Sequence, residues 1–221
     1  MKLLLNAITK FICGLFAVCL LIFIPAGTLN YKNGWLFIAL LFIPMLLLGV
    51  ILFFKAPDLL KKRLDTNEKQ TVQKSVVLSS GILFVGGFIV AGLDFRFGWS
   101  GIPNWLVITA SCVLLISYAL YAEVMRENAY LSRTVRVEHD QKIIDTGLYG
   151  IVRHPMYMST IFLFLSIPMV LGSYFAFALF AHYPIIIIIR LLGEEKVLEK
   201  ELKGYSEYKK KVKYRLIPFV W

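Results

Sequence analysis

Apolar positions along this chain fall in long blocks, at 11–26, 35–54, 76–93 and 103–125, separated by short polar stretches. Each block is of membrane-crossing length as a helix. A fifth block, 157–192, is too long for one crossing. At 1.5 Å per residue it would run roughly 50 Å, against a hydrocarbon core of about 30 Å. Leu171, Gly172 and Ser173 lie near its middle and include a turn-prone Gly-Ser pair. The pattern therefore predicts a helical hairpin there, with a short fifth segment and a sixth starting at Tyr174. The fold class that follows is an all-α integral membrane protein. About six hydrophobic segments, four transmembrane helices and a C-terminal helical hairpin, leave both termini on the cytoplasmic side.

Composition agrees: 58% of the 221 residues are hydrophobic, 17% are charged and the mean hydropathy is +0.72. The net charge of +10 could suggest nucleic acid, but topology accounts for it better. With the N-terminus inside, 22 of the 24 Lys and Arg fall in inner segments, and only Lys32 and Arg96 fall outside. That asymmetry follows the positive-inside rule and supports an even number of crossings. No basic soluble module is left to bind nucleic acid. Lys2 and Lys10 precede the first block as in a signal peptide, but Ile24-Pro25-Ala26-Gly27 is a poor cleavage site, so a retained helix is expected. Cys13, Cys19 and Cys112 form no C-x-x-C pair and read as small packing residues.

The chain divides by character. Residues 1–125 read as a four-helix transmembrane scaffold. In it, Gly81, Gly86, Gly87 and Gly92 thin the third helix for close packing. In the inner loop, 57–64 is amphipathic, with Pro57 suited to a first turn and Leu59, Leu60 and Leu64 suited to rest on the membrane interface. Residues 126–221 read as a catalytic half: inner loop, hairpin and basic amphipathic tail, with all three histidines. Lys209, Lys210 and Lys211 would hold the tail near anionic lipid. There is no G-x-x-x-x-G-K-[ST], no H-E-x-x-H and no G-x-S-x-G, and no local metal-ligand spacing. No metal is expected.

Two polar clusters flank the predicted hairpin. The first is Tyr149, Arg153, His154 and Tyr157, where Pro155 pushes His154 out of helix and opens the next one. The positive end of that helix would favour a carboxylate. The second is Arg190, Glu194 and Glu195, with Arg190 and Glu194 four apart on one face. Were the hairpin antiparallel, His154 and Tyr157 would face Arg190 and Glu194 across a short gap, a fitting site for a small zwitterion. Taken singly, Arg190 could instead snorkel to the inner surface and the two glutamates could be a solvated face. His182, inside the sixth segment, could mark a transport pathway or satisfy a carbonyl freed by Pro184.

GLYGIVRHPMY, then EEKVLEKELKGYSEYKKKV, then RLIPFVW together resemble the isoprenylcysteine carboxyl methyltransferase family, of bacterial type, with phospholipid N-methyltransferases as relatives. The match runs over residues 128–218 and includes R-x-x-x-E-E-x-x-L at Arg190, Glu194, Glu195 and Leu198. The resemblance implies S-adenosylmethionine as cofactor, bound without a Rossmann domain. It implies cofactor contacts from Ile143, Ile144, Tyr149, His154, Pro155, Met156, Tyr157 and Glu194. Arg190 would be the catalytic, carboxylate-holding residue, with Glu195 on the substrate side. Gln141 and Lys142 differ in type from the family pattern, and an upstream acceptor contact could fall on Glu138. The acceptor would be a lipophilic small molecule or a lipid-modified one, with membrane lipids as partners and the site facing the cytoplasm, in the cell (inner) membrane. A carboxylate acceptor is ionised at pH 7 and needs no base, whereas an amine must first lose a proton, which Glu195 or Glu123 could take. Carboxyl methylation is thus favoured over phospholipid amine N-methylation. An NADPH-dependent membrane reductase of related architecture, or a non-catalytic membrane protein or transporter, stays open.

Overall fold

The computed structural model describes residues 2–65, 71–132, 134 and 137–221. Three basic residues counted above as inner-side, Lys69, Arg133 and Arg136, lie outside the described residues. Most of the described residues are helical, in α1 (Lys2–Ala26), α2 (Lys32–Lys55), α3 (Pro57–Leu64), α4 (Thr71–Phe97), α5 (Asn104–Glu127), α6 (Pro155–Leu171), α7 (Tyr174–Phe180), α8 (Tyr183–Glu201) and α9 (Tyr205–Lys211). Helices α1, α2, α4, α5 and the α7–α8 pair are long and apolar enough to cross a membrane; α6, at 17 residues, is shorter. This is a multi-pass membrane fold. Its large apolar side chains point outward as well as inward, with Phe16, Ile24, Phe54, Leu78, Ile82 and Trp105 all more than 60% exposed. In water such a belt would drive aggregation, and in lipid it is the solvated surface.

The helices outrun the apolar blocks at their ends. Helix α1 begins at Lys2 rather than near residue 11, because Asn6 and Lys10 interrupt the hydropathy but not the helical backbone bonding. Inside, Ile22, Phe37, Phe88, Leu114, Ile167 and Phe180 form the main core. Of the four glycines of α4, two face neighbours. A Cβ on Gly92 would meet the Ile22 carbonyl oxygen at 2.5 Å, and one on Gly87 would meet the Phe180 ring at 2.3 Å. Gly81 and Gly86 would meet nothing within 4 Å. Gly92→Ala is therefore expected to lower stability by about 1–3 kcal/mol through overpacking against α1, and Gly86→Ala to leave it unchanged or slightly raised. Thermal unfolding of the two variants in detergent checks this, and equal melting points would count against the close α1–α4 approach.

The hairpin turns where the sequence placed it. Gly172 adopts the left-handed conformation (φ 84°) that ends α6, with its N–H on Met169 and that of Ser173 on Pro168. Ser173 Oγ then accepts from Ala176 N at 3.0 Å, capping α7. An acid the sequence reading passed over secures this end. Asp94, 1% exposed, accepts from Ser100 N at 2.7 Å, Ser100 Oγ at 2.6 Å and Ser173 Oγ.

Three expectations change here. The sixth segment is not one helix: Pro184, second residue of α8, cannot supply the backbone donor needed to continue α7, so the chain breaks at Ala181 and His182. His182 Nδ1 lies 3.1 Å from the Ala178 carbonyl and 3.2 Å from that of Leu179. Arg190 is thus the eighth residue of α8, close to the break, rather than deep in a long helix. Nor do Leu59 and Leu60 rest on the interface. After the break at Ala56, α3 folds back under the inner ends of α2 and α5, and both leucines are buried with Leu52, Val124, Leu131 and Tyr149. Cys13 and Cys112 are exposed on helix surfaces rather than packed.

Candidate active site

Two polar segments are brought together at the inner mouth of the hairpin. Gly147–Gly150 forms a 3₁₀ turn, entered at Gly147 with φ 53°, where the Glu127 carboxylate fills the space a Cβ would need and accepts from Leu148 N. His154 then sits outside helical conformation (φ −128°, ψ 60°) and Pro155 opens α6 as expected, with no side chain capping that end.

The two glutamates of α8 part company. Glu194 accepts from the Tyr157 hydroxyl, and that hydroxyl accepts from Arg190 Nε at 3.0 Å, so Arg190, Tyr157 and Glu194 form one chain of contacts. Glu195, expected on the substrate side, is instead 4% exposed and turned away from the cavity. It accepts from Arg153 Nε at 2.8 Å and Arg215 Nε at 3.0 Å, with His154 Nε2 at 3.3 Å. The reason is helical rotation: one residue beyond Glu194 swings the side chain by about 100°, toward the start of α6 and the tail. Arg153 also donates to the Val212 and Lys213 carbonyls at 2.8 Å, and the backbones of Arg153 and His154 bond to Tyr214 and Arg215. The tail is strapped across the site by this arginine.

Around Tyr157 and Glu194 lies a cavity of about 860 Å³ of empty space, its open mouth included. Ile143, Ile144, Tyr149, His154, Met156 and Tyr157 line it, with Arg190 and Glu194 opposite; Pro155 does not, being the buried hinge behind them. Gln141 and Lys142 line it too. Glu138 does not: Lys62 of α3 holds it at 2.7 Å. Residues missed by the first reading complete the wall, chiefly Asn128, Leu198, Tyr205 and Tyr208. The tail segment GYSEY carried the signal for the two tyrosines, but not their direction. Asn128 Nδ2 donates to the Tyr149 hydroxyl at 3.0 Å, and the Tyr208 hydroxyl donates to the Tyr149 carbonyl at 2.7 Å. Burial pushes the Tyr149, Tyr205 and Tyr208 hydroxyls above their ordinary range, helped at Tyr205 by the nearby Glu195 and Glu194 charges. All three remain protonated at neutral pH. Of the tail lysines, Lys209 and Lys211 pair with Glu199 and Asp145, the latter at 2.6 Å.

A second cavity, about 1040 Å³ with its open side, adjoins the first. Val76, Val77, Gly81 and Phe84 of α4 face Thr160, Phe164 and Ile187 across it. Met156, Tyr157 and Arg190 line both cavities and so form their common wall.

Residues 103–204 match the family described as phospholipid methyltransferase. A solved structure of a eukaryotic intramembrane Ras methyltransferase, isoprenylcysteine carboxyl methyltransferase, has the same fold. It superposes with a TM-score of 0.50 at 16% identity, covering 100% of this chain and 88% of that one. The Delta(14)-sterol reductase of Mus musculus is 28% identical over 91 residues, which is 40% of this chain. The match spans 22% of that relative's length.

Proposed function

We propose, from the match of residues 103–204 to the phospholipid methyltransferase family, that this chain is an integral membrane methyltransferase. It uses S-adenosylmethionine and methylates a carboxylate on a lipid-like or lipid-modified acceptor. The observation that carries this is the common wall. A polar, aromatic-lined cavity holding Glu194 and an apolar cavity between the helices meet at Met156, Tyr157 and Arg190. That is the arrangement needed to present a water-borne methyl donor to a membrane-borne acceptor.

The residues present fit the donor. Glu194 offers a carboxylate to its ammonium group, the apolar Ile143, Ile144 and Leu198 suit a purine ring, and the protonated Tyr149 and Asn128 supply hydrogen bonds. When bound, S-adenosylmethionine supplies a sulfonium methyl open to attack by an oxygen nucleophile. Arg190 can hold one acceptor oxygen while the other stays ionised and in line. The Tyr157 hydroxyl ties Arg190 to Glu194, so the group orienting the acceptor and the group holding the donor are set by one contact chain. The strapped tail and α9 cover the site from water, which favours a reaction that cancels two opposite charges.

The carboxyl reading is preferred over amine methylation because no carboxylate stands ready as a base among the described residues of the wall. Glu195 is held by three basic groups, Glu123 is paired with Arg126, and Glu194 is engaged by Tyr157. The sequence assigns 22 of the 24 basic residues to the segments expected on one side, and that side, which carries the site, is taken as cytoplasmic. The sterol reductase match favours a second reading, reduction with NADPH.

Calorimetric titration of the detergent-purified chain separates the two. The wild type is expected to bind S-adenosylhomocysteine saturably and NADPH not at all. Glu194→Ala is expected to bind S-adenosylhomocysteine roughly 10- to 100-fold more weakly, the loss of one or two charge-assisted hydrogen bonds. NADPH binding without S-adenosylhomocysteine binding would transfer the case to the reductase.

A further inference from the structure

The membrane-facing cavity contains a charge that the proposed transfer does not use. Arg63, near the end of α3, is half-buried and lines this cavity but not the donor cavity. Its Nη1 donates to the Ser132 carbonyl at 3.2 Å and lies 3.7 Å from the Met156 sulfur. Its Nη2 donates to the Tyr121 hydroxyl, and the guanidinium sits 5.5 Å from the Tyr121 ring centroid. All of these partners are neutral, and among the described residues no carboxylate pairs with it. Neutral acceptors satisfy its N–H groups but not its charge, and a half-buried cation without an anion is costly at a low-dielectric boundary. A residue needed only to join α3 to α5 could be a neutral amide.

Its place relative to the common wall gives the charge a use. Met156 touches Arg63, and its neighbour Tyr157 accepts from Arg190, so the two guanidinium groups border adjacent residues of the common wall. The remaining wall is apolar or hydroxyl-bearing, and no acidic side chain lines it among the described residues. A cationic head would be repelled there and a neutral one would leave Arg63 uncompensated.

We propose that Arg63 is a specificity-determining contact to the acceptor. It takes an ionised oxygen-acid group, carboxylate or phosphate, on the head of an amphiphile whose chain lies along α4. This rests on the methyltransferase reading for the meaning of "acceptor", but its test is separable.

The test is scintillation-proximity binding of radiolabelled laurate, dodecyl phosphate and dodecanol to the full chain in neutral detergent. The wild type is expected to bind an anionic probe at least about tenfold more tightly than dodecanol, the span of one charge-assisted hydrogen bond. Whichever anion binds more tightly identifies the head group. Arg63→Gln is expected to lower the preference to the part that Arg190 supplies from the same wall, and Arg63→Lys to lower it less, since a point charge replaces a planar fork. Ser80→Asp places a carboxylate on the same wall and is expected to weaken anion binding while leaving dodecanol unchanged, so the proposal stays testable if Arg63→Gln does not fold. No anion preference in the wild type, or an undiminished one in Arg63→Gln or Ser80→Asp, overturns it. S-adenosylhomocysteine titrated alongside keeps the two readings apart: donor binding without anion preference removes this proposal alone.

Discussion

Replacing Arg190 by glutamine is expected to lower methyl transfer on the order of 10²–10³-fold, while S-adenosylhomocysteine affinity stays within about tenfold of wild type. The argument is positional. Arg190 lines both cavities, whereas Glu194 lines only the donor side. Loss of the guanidinium removes the group that orients an acceptor oxygen, but leaves the donor's carboxylate partner in place. Arg190→Lys should recover little, because an ammonium cannot reproduce the fixed fork that engages Tyr157 through Nε and still presents donors to an anion. The measurement is incorporation of tritiated methyl from S-adenosylmethionine into a total polar lipid extract, with binding measured on the same preparations. Equal incorporation by variant and wild type would reduce Arg190 to a snorkelling cation.

How much of this site could be read from the chain differs residue by residue. The Arg-His-Pro stretch was legible because proline acts locally: it fixes the backbone of His154 and starts α6, whatever packs around it. The hairpin turn was legible for the same reason, since Gly172 and Ser173 supply a left-handed cap and a helix cap within two residues. The resemblance set Glu194 on the cofactor side and Glu195 on the substrate side, but only tertiary packing decides which of two adjacent helix positions faces a cavity, and it turns Glu195 away. The buried face of α3 was misread because an amphipathic segment looks alike whether its apolar side meets lipid or protein. The tail's path over Arg153 was not legible at all: backbone bonds from residues 153 and 154 to 214 and 215 leave no periodic trace in either segment. Asp94 was passed over because an acid at a helix end reads as solvated until Ser100 and Ser173 are found around it.

The adjacent pair also gives the sharpest contrast in stability. Glu195→Ala is expected to destabilise the inner half by roughly 3–5 kcal/mol, the usual penalty for removing one partner of a buried ion pair. Glu194→Ala is expected to cost far less, because it opens a site that already faces a cavity. Glu195 is the one carboxylate that Arg153, His154 and Arg215 share among the described residues. Arg153 is 6% exposed and His154 6%, so without Glu195 a cation is left buried against an imidazole with no counter-charge. Glutamine at this position keeps the shape but not the charge and should behave more like alanine than like wild type. Arg153 also holds the Val212 and Lys213 carbonyls, so the tail should loosen together with the ion pair. Limited trypsin digestion is a direct reporter, since Lys209, Lys210, Lys211, Lys213 and Arg215 lie along the strap. In Glu195→Ala, cleavage there should precede global unfolding, with a lowered melting temperature in detergent. In Glu194→Ala the tail should stay as resistant as in wild type while donor binding falls. If both variants keep the wild-type melting temperature and digestion pattern, the carboxylate is not what fastens the tail, and the strap is held instead by its backbone bonds to Arg153 and His154 and by the Arg153 side chain on the Val212 and Lys213 carbonyls.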